Sequence, residues 1–173
     1  MVKLSFINLK LIGVLCIAFL LSYQHSNAQI TTYKGQALFI YNFTKHIKWP
    51  SPPIEYTIGV YGNSGLYNEL NTSLKGKQIN GSAFQIKSIA SLSEASQCQI
   101  IYLPSSSSHN LKALISKVEK QGVLVITEND LIEEGAGISF LLIDDKIRFK
   151  INQAVLSGQG LQVSSGLISL AAK

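Results

Sequence analysis

Residues 37–50 read ALFIYNFTKHIKWP, an apolar stretch that contains four aromatic side chains: Phe39, Tyr41, Phe43 and Trp49. A Trp-Pro pair ends the stretch, because the residue before a proline is disfavoured in the helical conformation. The spacing of the apolar residues predicts a helix over residues 32–47 that is apolar around more than half of its circumference. Such a helix is either buried in the core, which we favour, or presents a second apolar face to a partner.

Residues 147–171 read IRFKINQAVLSGQGLQVSSGLISLA and form the second stretch on which the fold depends. The pattern predicts a strand, a short helix, a break at glycine and a terminal apolar helix. Its apolar, nearly uncharged end is typical of a helix docked on the core or of a protein-contact surface. The candidate partner interface consists of Leu161, Val163, Leu167, Ile168 and Leu170, and we favour contact for at least one of the last three. The same segment predicts a homodimer.

The two stretches together resemble the YfiR family, which are small secreted bacterial proteins. The residues that match the family's pattern are Asn42, Trp49, Pro50, Arg148, Phe149 and Asn152. The best-understood member of that family is a periplasmic repressor of a membrane-bound diguanylate cyclase. The resemblance implies that the partner is an inner-membrane sensor protein, either a diguanylate cyclase, with cyclic-di-GMP as the output, or a histidine kinase.

Residues 1–28 have the pattern of a secretory signal peptide. Lys3 and Lys10 form the basic region, residues 11–21 the apolar region, and Ser-Asn-Ala at 26–28 the cleavage site. An uncleaved membrane anchor is the alternative, but the apolar run is much shorter than the about 20 residues that a spanning helix needs. The pattern therefore predicts export to the periplasm, with Gln29 as the first residue of the mature protein.

Residues 29–173 suit one domain with a single core. The formal net charge of the whole chain is +5, and without Lys3 and Lys10 it falls to +3. The basic residues are scattered, so the sequence gives little support for a nucleic-acid partner. The densest group, Lys146, Arg148 and Lys150, has the spacing of one strand face and is predicted to be solvated.

Cys98 is the one cysteine that follows the predicted cleavage site. It begins the apolar run CQIIYLP and is therefore predicted to be a buried thiol, with a reactive or intermolecularly paired thiol as the alternative. A lone cysteine excludes an intramolecular disulfide in the mature chain. The best-known repressor of the family uses disulfides in redox control, so that control is not expected here.

Strand patterns alternate with helix patterns through the middle of the chain. This order predicts an α/β fold, a three-layer α/β/α sandwich with a mostly parallel sheet and a mixed hairpin at one edge. The predicted strands cover residues 56–61, 84–89, 99–103 and 123–126, and the helices cover 66–74, 93–96, 110–120 and 129–134. The edge hairpin joins residues 138–143 to 146–151 through Asp144 and Asp145, although neither turn residue is a glycine.

A candidate ligand crevice lies where two predicted strands end. It comprises Gly62, Asn63, Ser64 and Gly65 after the first strand, and Ser105 and His109 after the third. A glycine-rich turn before a helix can bind a phosphate or another small anion through its backbone N–H groups. A plain strand-to-helix turn, with Asn63 or Ser64 as the helix cap, is the interpretation that we favour.

The sequence predicts no catalytic, metal or cofactor site. Ser105 and His109 lack the G-x-S-x-G context of a hydrolase and are predicted to form a polar capping loop. His46 and His109 lie in different segments, and the acidic residues lack the calcium-loop spacing. The sequence therefore favours a non-enzymatic periplasmic regulator that binds the extracytoplasmic part of an inner-membrane signalling protein. The alternative is a small-molecule-binding sensor module that works with a histidine kinase or a transport system.

Overall fold

The computed structural model describes residues 32–62 and 64–172. The predicted signal peptide and the predicted crevice residue Asn63 lie outside these described residues. Within the described residues, no helix combines the length and the apolar character that crossing a bilayer requires.

Helices and strands alternate in the first half, as predicted. The described part of the first helix, α1, covers residues 32–46. After it come β1 (Ile47–Lys48), β2 (Glu55–Tyr61), α2 (Leu66–Leu74), β3 (Gln78–Ile79), β4 (Ser82–Ile89), a 3-10 helix (Leu92–Gln97) and β5 (Ile100–Leu103). The 3-10 helix begins with a capping box, in which Ser91 and Glu94 satisfy each other's backbone N–H groups.

The second half contains the hairpin and the terminal helices that the sequence predicted. A second 3-10 helix (Ser105–Asn110) leads directly into α3 (Leu111–Lys117). The remaining elements are β6 (Leu124–Thr127), β7 (Ile138–Ile143), β8 (Lys146–Ile151), α4 (Gln153–Gly158), β9 (Gln162–Val163) and α5 (Ser165–Leu170). The chain leaves α3 through Lys120 and Gly122, which both have positive φ angles (57° and 71°).

The prediction of a helix over residues 129–134 is wrong, because this segment forms turns. Two buried hydroxyl groups hold it in that shape. The Thr127 hydroxyl donates to the Asn129 carbonyl (2.8 Å), and the Ser139 hydroxyl accepts from the Leu131 N–H (3.1 Å). These side-chain hydrogen bonds compete with the helical backbone pattern.

The seven-stranded sheet has the order β3-β4-β2-β5-β6-β7-β8. The five central strands, β4, β2, β5, β6 and β7, run parallel to one another. The edge strands β3 and β8 are each antiparallel to their single neighbour, β4 and β7. A separate antiparallel ribbon pairs β1 with β9, through Ile47 with Val163 and Lys48 with Gln162. The α/β fold class and the antiparallel hairpin at the β8 edge are confirmed, but the antiparallel strand β3 at the other edge and the ribbon were not predicted.

Helices cover both faces of the sheet, so the strands alternate between two apolar clusters. In β5, Ile100 and Tyr102 belong to the cluster under α1, α2, α4 and α5. Ile101 and Leu103 belong to the cluster under α3 and the first 3-10 helix. This arrangement is the predicted three-layer sandwich.

The hairpin between β7 and β8 turns at Asp144 and Asp145, which have φ angles of 48° and 56°. Two consecutive positive φ angles fit the tight turn that matches the twist of a hairpin. Aspartate tolerates this conformation better than most residues, because its short carboxylate can interact with nearby backbone. The predicted hairpin is therefore confirmed without a glycine.

Helix α1 is buried in the core, which confirms the favoured interpretation of its sequence. Phe43 is fully buried, and its ring lies 5.0 Å from that of Phe149 and 6.0 Å from that of Phe140. Phe39 adds an edge contact with Phe149 at 5.3 Å. Leu38, on the opposite side of the helix, is 58% exposed.

Candidate functional site

The two loops of the predicted crevice lie side by side at the carboxyl ends of β2 and β5. Gly62 donates its N–H to the Ile89 carbonyl (2.8 Å) and has a φ angle of 67°. A Cβ atom at Gly62 would lie 3.5 Å from the Ser107 hydroxyl, so the two loops are within contact distance. The parallel strands therefore bring the two predicted sets of residues to one end of the sheet.

The first N–H groups of α2, which follow the first loop, already have partners within the protein. The Ser64 hydroxyl is buried and accepts from the Leu66 N–H (3.3 Å), and the Ser64 carbonyl accepts from the Tyr67 N–H (3.1 Å). The ring of Tyr33 covers Gly65 so closely that a Cβ atom there would lie 2.6 Å from it. These contacts favour the plain turn over an anion cradle, and ligand binding at this loop stays a prediction.

Ser105 caps the second loop and is not bonded to His109. Its hydroxyl lies 3.0 Å from a Glu128 carboxylate oxygen and 2.7 Å from the Asn129 amide oxygen, and its N–H donates to Glu128 (2.8 Å). His109 is exposed, and its Nε2 lies 3.1 Å from the Asn110 amide nitrogen. The hydroxyl thus serves the loop, which is the arrangement expected of a polar cap.

A buried polar link lies beneath these loops. The Tyr102 hydroxyl donates to the Gln36 side-chain oxygen at 3.0 Å and so joins the middle strand to α1. Burial raises the pKa of Tyr102 strongly, and the nearby Glu128 carboxylate raises it further. The phenol therefore stays protonated and acts as a fixed donor. Among the described residues, no group of three or more histidine, cysteine, aspartate or glutamate side chains is placed to bind a metal ion.

The candidate partner interface divides into buried and accessible members. Leu161 and Leu167 are each only 2% exposed and belong to the main core, so they are not available to a partner in this structure. The Ser164 hydroxyl caps α5 by accepting from the Leu167 N–H (3.2 Å), which orients this short helix with Leu167 inward. Val163 and Ile168 are half-buried, and Leu170 is 66% exposed. A contact surface on α5 stays a prediction that now rests on Ile168 and Leu170.

The residues that match the family pattern mainly hold the fold together. Trp49 is 8% exposed and packs edge-on against Tyr56 (5.3 Å), and its indole N–H has no acceptor among the described residues. Pro50 covers Gly160, where a Cβ atom would lie 2.9 Å from the proline ring. Asn42 is half-buried on α1.

The matching residues of the second stretch have equally structural positions. Phe149 is buried in the aromatic cluster, whereas Arg148 is exposed on the other face of β8. Asn152 caps α4, because its side-chain oxygen accepts from the Val155 N–H (3.1 Å). Its amide nitrogen donates to the Ile132 carbonyl (3.2 Å), which ties α4 to the turns after β6.

The ribbon of β1 and β9 brings the two stretches into direct contact. The Ser164 N–H donates to the His46 carbonyl at 2.9 Å. The Ser164 hydroxyl lies 3.4 Å from the His46 ring nitrogen, across 118 positions of sequence. Trp49 and Pro50, which follow β1, therefore lie next to Gly160 in the break that precedes α5.

Two hollows of the surface were not predicted from the sequence. One, of about 420 Å³, lies at the amino ends of the strands and is lined by Trp49, Pro50, Cys98 and Gln99 among others. The other, of about 670 Å³, lies between α2 and β4 and is lined by Leu70, Leu74, Phe84 and Ile86 among others. The alternating apolar residues of the segment SAFQIKSI could have indicated the second.

Cys98 is buried, as predicted, at 2% exposure. Burial raises the pKa of its thiol, and the nearby Lys87 only partly opposes that effect. A raised pKa leaves little thiolate at neutral pH, so the thiol has the character of a core side chain.

A comparison with protein-family models matches residues 33–172 to the family described as YfiR/HmsC-like. The match spans the fold from α1 to the end of α5, which includes both stretches on which the fold depends. That family is known for periplasmic regulators of diguanylate cyclases. Among curated individual proteins, no sequence matches this chain significantly.

Proposed function

The chain belongs to the YfiR/HmsC-like family, and from that membership we propose that it is a non-enzymatic periplasmic regulator. In this proposal it binds the extracytoplasmic part of an inner-membrane signalling protein of the diguanylate cyclase type and holds it inactive. The family match over residues 33–172 carries the proposal. A histidine kinase is the alternative partner, because the same extracytoplasmic contact could control either output domain.

The mechanism is a shift of the partner's conformational equilibrium. A regulator that binds the inactive state better than the active state shifts the partner by its difference in affinity alone. Converting a population that is almost all active into one that is almost all inactive needs a difference of about 5.5 kcal/mol. Several buried apolar anchors at one interface can supply a difference of this size.

The contacts of the polar loops support a binding role over a catalytic one. The Ser105 hydroxyl interacts with Glu128 and Asn129, and the exposed His109 interacts with Asn110. A serine nucleophile needs a hydrogen bond to its base, which these contacts do not provide. The accessible apolar side chains Ile168 and Leu170 are the first candidates for the partner contact and for the predicted homodimer.

The test is the cyclic-di-GMP content of cells that lack this protein, measured by mass spectrometry. We expect the content to rise on deletion and to return to normal when the gene is restored. A matched control restores the gene without residues 1–28, so that the same domain stays in the cytoplasm. That control should fail to lower cyclic-di-GMP, because the proposed contact is extracytoplasmic.

Two outcomes would contradict the proposal. Unchanged cyclic-di-GMP in the deletion strain would remove the diguanylate cyclase as the partner. Full restoration by the cytoplasmic control would remove the periplasmic site of action. Light scattering of the mature protein tests the homodimer separately, and a monomer at micromolar concentrations would remove that part.

A small-molecule sensor is the second candidate function, and the hollow lined by Trp49, Pro50 and Cys98 favours it. Its volume of about 420 Å³ lies within the range of ligand pockets. A thermal-shift screen of nucleotides, amino acids and sugars tests it, because a ligand at about 100 times its dissociation constant adds about 2.7 kcal/mol of stability. A hit that persists in the Trp49→Phe protein would place the ligand elsewhere.

A further inference from the structure

Strand β4 has a long outer edge without a strand partner among the described residues. On its inner side it pairs with β2 over residues 83–89. On its outer side β3 reaches only Ser82 and Ala83. The outer side of residues 84–89, called the open edge below, is therefore available for pairing.

The direction of the backbone groups on the open edge follows from one hydrogen bond. The Ile89 carbonyl accepts from the Gly62 N–H at 2.8 Å, which places the backbone groups of Ile89 on the β2 side. Backbone groups alternate between the two sides of a strand. The N–H and C=O groups of Ser88 and Ile86 therefore point to the outer side, where an added strand would meet them.

An apolar groove lies beside the open edge. Phe84 and Ile86 of β4 line it together with Leu70 and Leu74 of α2, and its volume is about 670 Å³. Both β4 side chains are only half-buried, so part of their apolar surface still faces solvent. An added strand would place every second side chain in this groove.

Lysine side chains surround the groove. Lys45 and Lys77 hold their ammonium groups 4.1 and 4.6 Å from the centre of the Tyr41 ring, which packs against Phe84. Lys75 lines the groove itself, whereas Lys87 is exposed on the opposite face of β4 and does not border the groove. The nearest acid on α2, Glu69, already accepts a hydrogen bond from Ser73 (2.8 Å).

We propose that the open edge of β4 binds an extended segment of a partner protein whose groove-facing side chains are apolar in the middle and acidic at the ends. The backbone of the segment would pair with Ile86 and Ser88, and its apolar side chains would fill the groove. Its carboxylates would meet Lys45, Lys75 and Lys77 on the same face. A second copy of this chain fits less well, because it would bring the same lysines towards each other. This binding surface does not depend on whether the proposed cyclase is the partner.

The test is amide hydrogen exchange of the mature protein, measured residue by residue by NMR. In the free protein, Ile86 and Ser88 should exchange quickly and Gln85 and Lys87 slowly, because only the latter pair with β2. The probe is the capped peptide Glu-Ser-Val-Ser-Val-Ser-Glu, in which the glutamates and valines share one face. At millimolar concentration it should slow exchange at Ile86 and Ser88 at least tenfold.

Two modified peptides separate strand pairing from charge attraction. A peptide methylated on alternate backbone nitrogens keeps its charges but cannot pair as a strand, and it should give no protection. A peptide with lysine in place of glutamate keeps the backbone but should bind at least tenfold more weakly. The double variant Lys75→Glu, Lys77→Glu should reverse the preference between the two charged peptides.

A matched pair of protein variants tests the edge itself. Ser88→Pro removes one outward N–H group at an edge position that tolerates proline, and it should abolish the protection of Ile86. Ser88→Ala removes only the hydroxyl and should bind like the original protein. Thermal melting of both variants checks that the fold is intact.

Three results would overturn the proposal. The first is no protection at Ile86 and Ser88 by the glutamate peptide. The second is equal protection by the methylated peptide, which would reduce the effect to charge. The third is slow exchange at these residues in the free protein that disappears on dilution, since that result would make a second copy the occupant.

Discussion

The two edges of the seven-stranded sheet are protected to different degrees. Strand β8 carries Lys146, Arg148 and Lys150 at alternate positions, and the Ala172 N–H donates to its Phe149 carbonyl at 2.8 Å. Strand β4 has a short partner strand at its beginning and one lysine, Lys87, in its unpaired part. Charged side chains and covering segments are the usual means of blocking strand addition.

The edge at β8 is closed by the fold itself, whereas the edge at β4 is open to a partner. The residues that cover β8 follow α5, and α5 is anchored by Leu167 in the main core. In the described part of the chain, no strand pairs with the outer side of residues 84–89. Damage to the covered edge should therefore lower stability, whereas damage to the open edge should mainly alter binding.

The largest effect is expected from Leu167→Asp, which breaks the covered edge at its anchor. The substitution buries an unpaired carboxylate where a side chain 2% exposed now packs, so it should destabilise the domain by at least about 3 kcal/mol. Circular dichroism and thermal melting measure the loss. Leu170→Asp is the matched control on the same helix, and its 66% exposure should keep the change within about 0.5 kcal/mol. Equal melting temperatures for the two variants would contradict the assigned burial.

The next effect compares Phe149 of β8 with Phe84 of β4. Phe149→Ala should cost about 3–5 kcal/mol, because the ring is 2% exposed and contacts Phe39 and Phe43. Phe84→Ala should cost about 1–2 kcal/mol, because its ring is half-buried beside Tyr41 and Tyr56. Urea unfolding of both proteins gives the two free energies. A larger loss of unfolding free energy for Phe84→Ala than for Phe149→Ala would mean that the β4 edge, and not the β8 edge, is the one that the fold depends on.

A third effect concerns β5, the middle strand, which lies three strands from either edge. Burial raises the pKa of Tyr102, so above the ordinary value of 10.0 the unfolded chain loses this proton while the folded chain keeps it. Stability from this group is thus complete below that value. It should fall at higher pH by as much as about 1.4 kcal/mol per pH unit.

The comparison protein for this effect is Tyr102→Phe, measured by urea unfolding at neutral and alkaline pH. It should be less stable near neutrality, where it lacks the hydrogen bond to Gln36, and its stability should fall less steeply in alkali. A remaining slope is expected from Tyr56, whose pKa burial also raises. If the stability of both proteins fell equally steeply with pH, the pKa of Tyr102 would not be raised by folding.

The smallest effect is on reactivity, at Cys98 beneath the β4 side of the sheet. The thiol is 2% exposed, and a Cβ atom at Gly59 of β2 would lie 2.9 Å from its sulfur. A thiol reagent should therefore label Cys98 slowly in the native protein and rapidly in denaturant. Leu170→Asp should leave the rate unchanged, since Leu170 is exposed and α5 packs on the other face of the sheet. Fast native labelling would favour the alternative of a reactive thiol.

Much of the sheet could be predicted because its signals are local. The apolar runs that became β5 and β6 read as strands covered on both sides, and both are fully buried. The hairpin at Asp144 and Asp145 was predicted because only these two residues separate two strand patterns, and the structure shows it. These features depend on neighbouring residues, which a sequence displays directly.

The rest depends on contacts between distant residues. The ribbon of β1 and β9 uses two residues from each strand, too few for a periodic pattern. The turns at 129–134 depend on the Ser139 hydroxyl, which a helical reading of the segment does not include. Helix α5 is six residues long, so its periodicity did not reveal that Leu167 faces inward.

The candidate crevice shows the same division. Parallel strands predict that the loops after Tyr61 and Leu103 share one end of the sheet, and the structure places them in contact. Tyr33, which covers Gly65, comes from α1 and could not be inferred from either loop. The sequence therefore located the loop residues but not the aromatic ring that packs on Gly65.

The contact between His46 and Ser164 also has a consequence for the order of folding. Their 118 positions of separation make this loop among the longest that the chain can close, and closing a loop costs more entropy as its length grows. Contacts of this separation slow folding relative to local ones. The two ends of the domain should therefore join last, only after the C-terminal residues are available. If the predicted signal peptide directs the chain unfolded through a membrane, late closure would keep its two ends apart until transport is complete. Removing residues 162–173 should abolish the ribbon with β1, whereas α1 should still pack on Phe140 and Phe149.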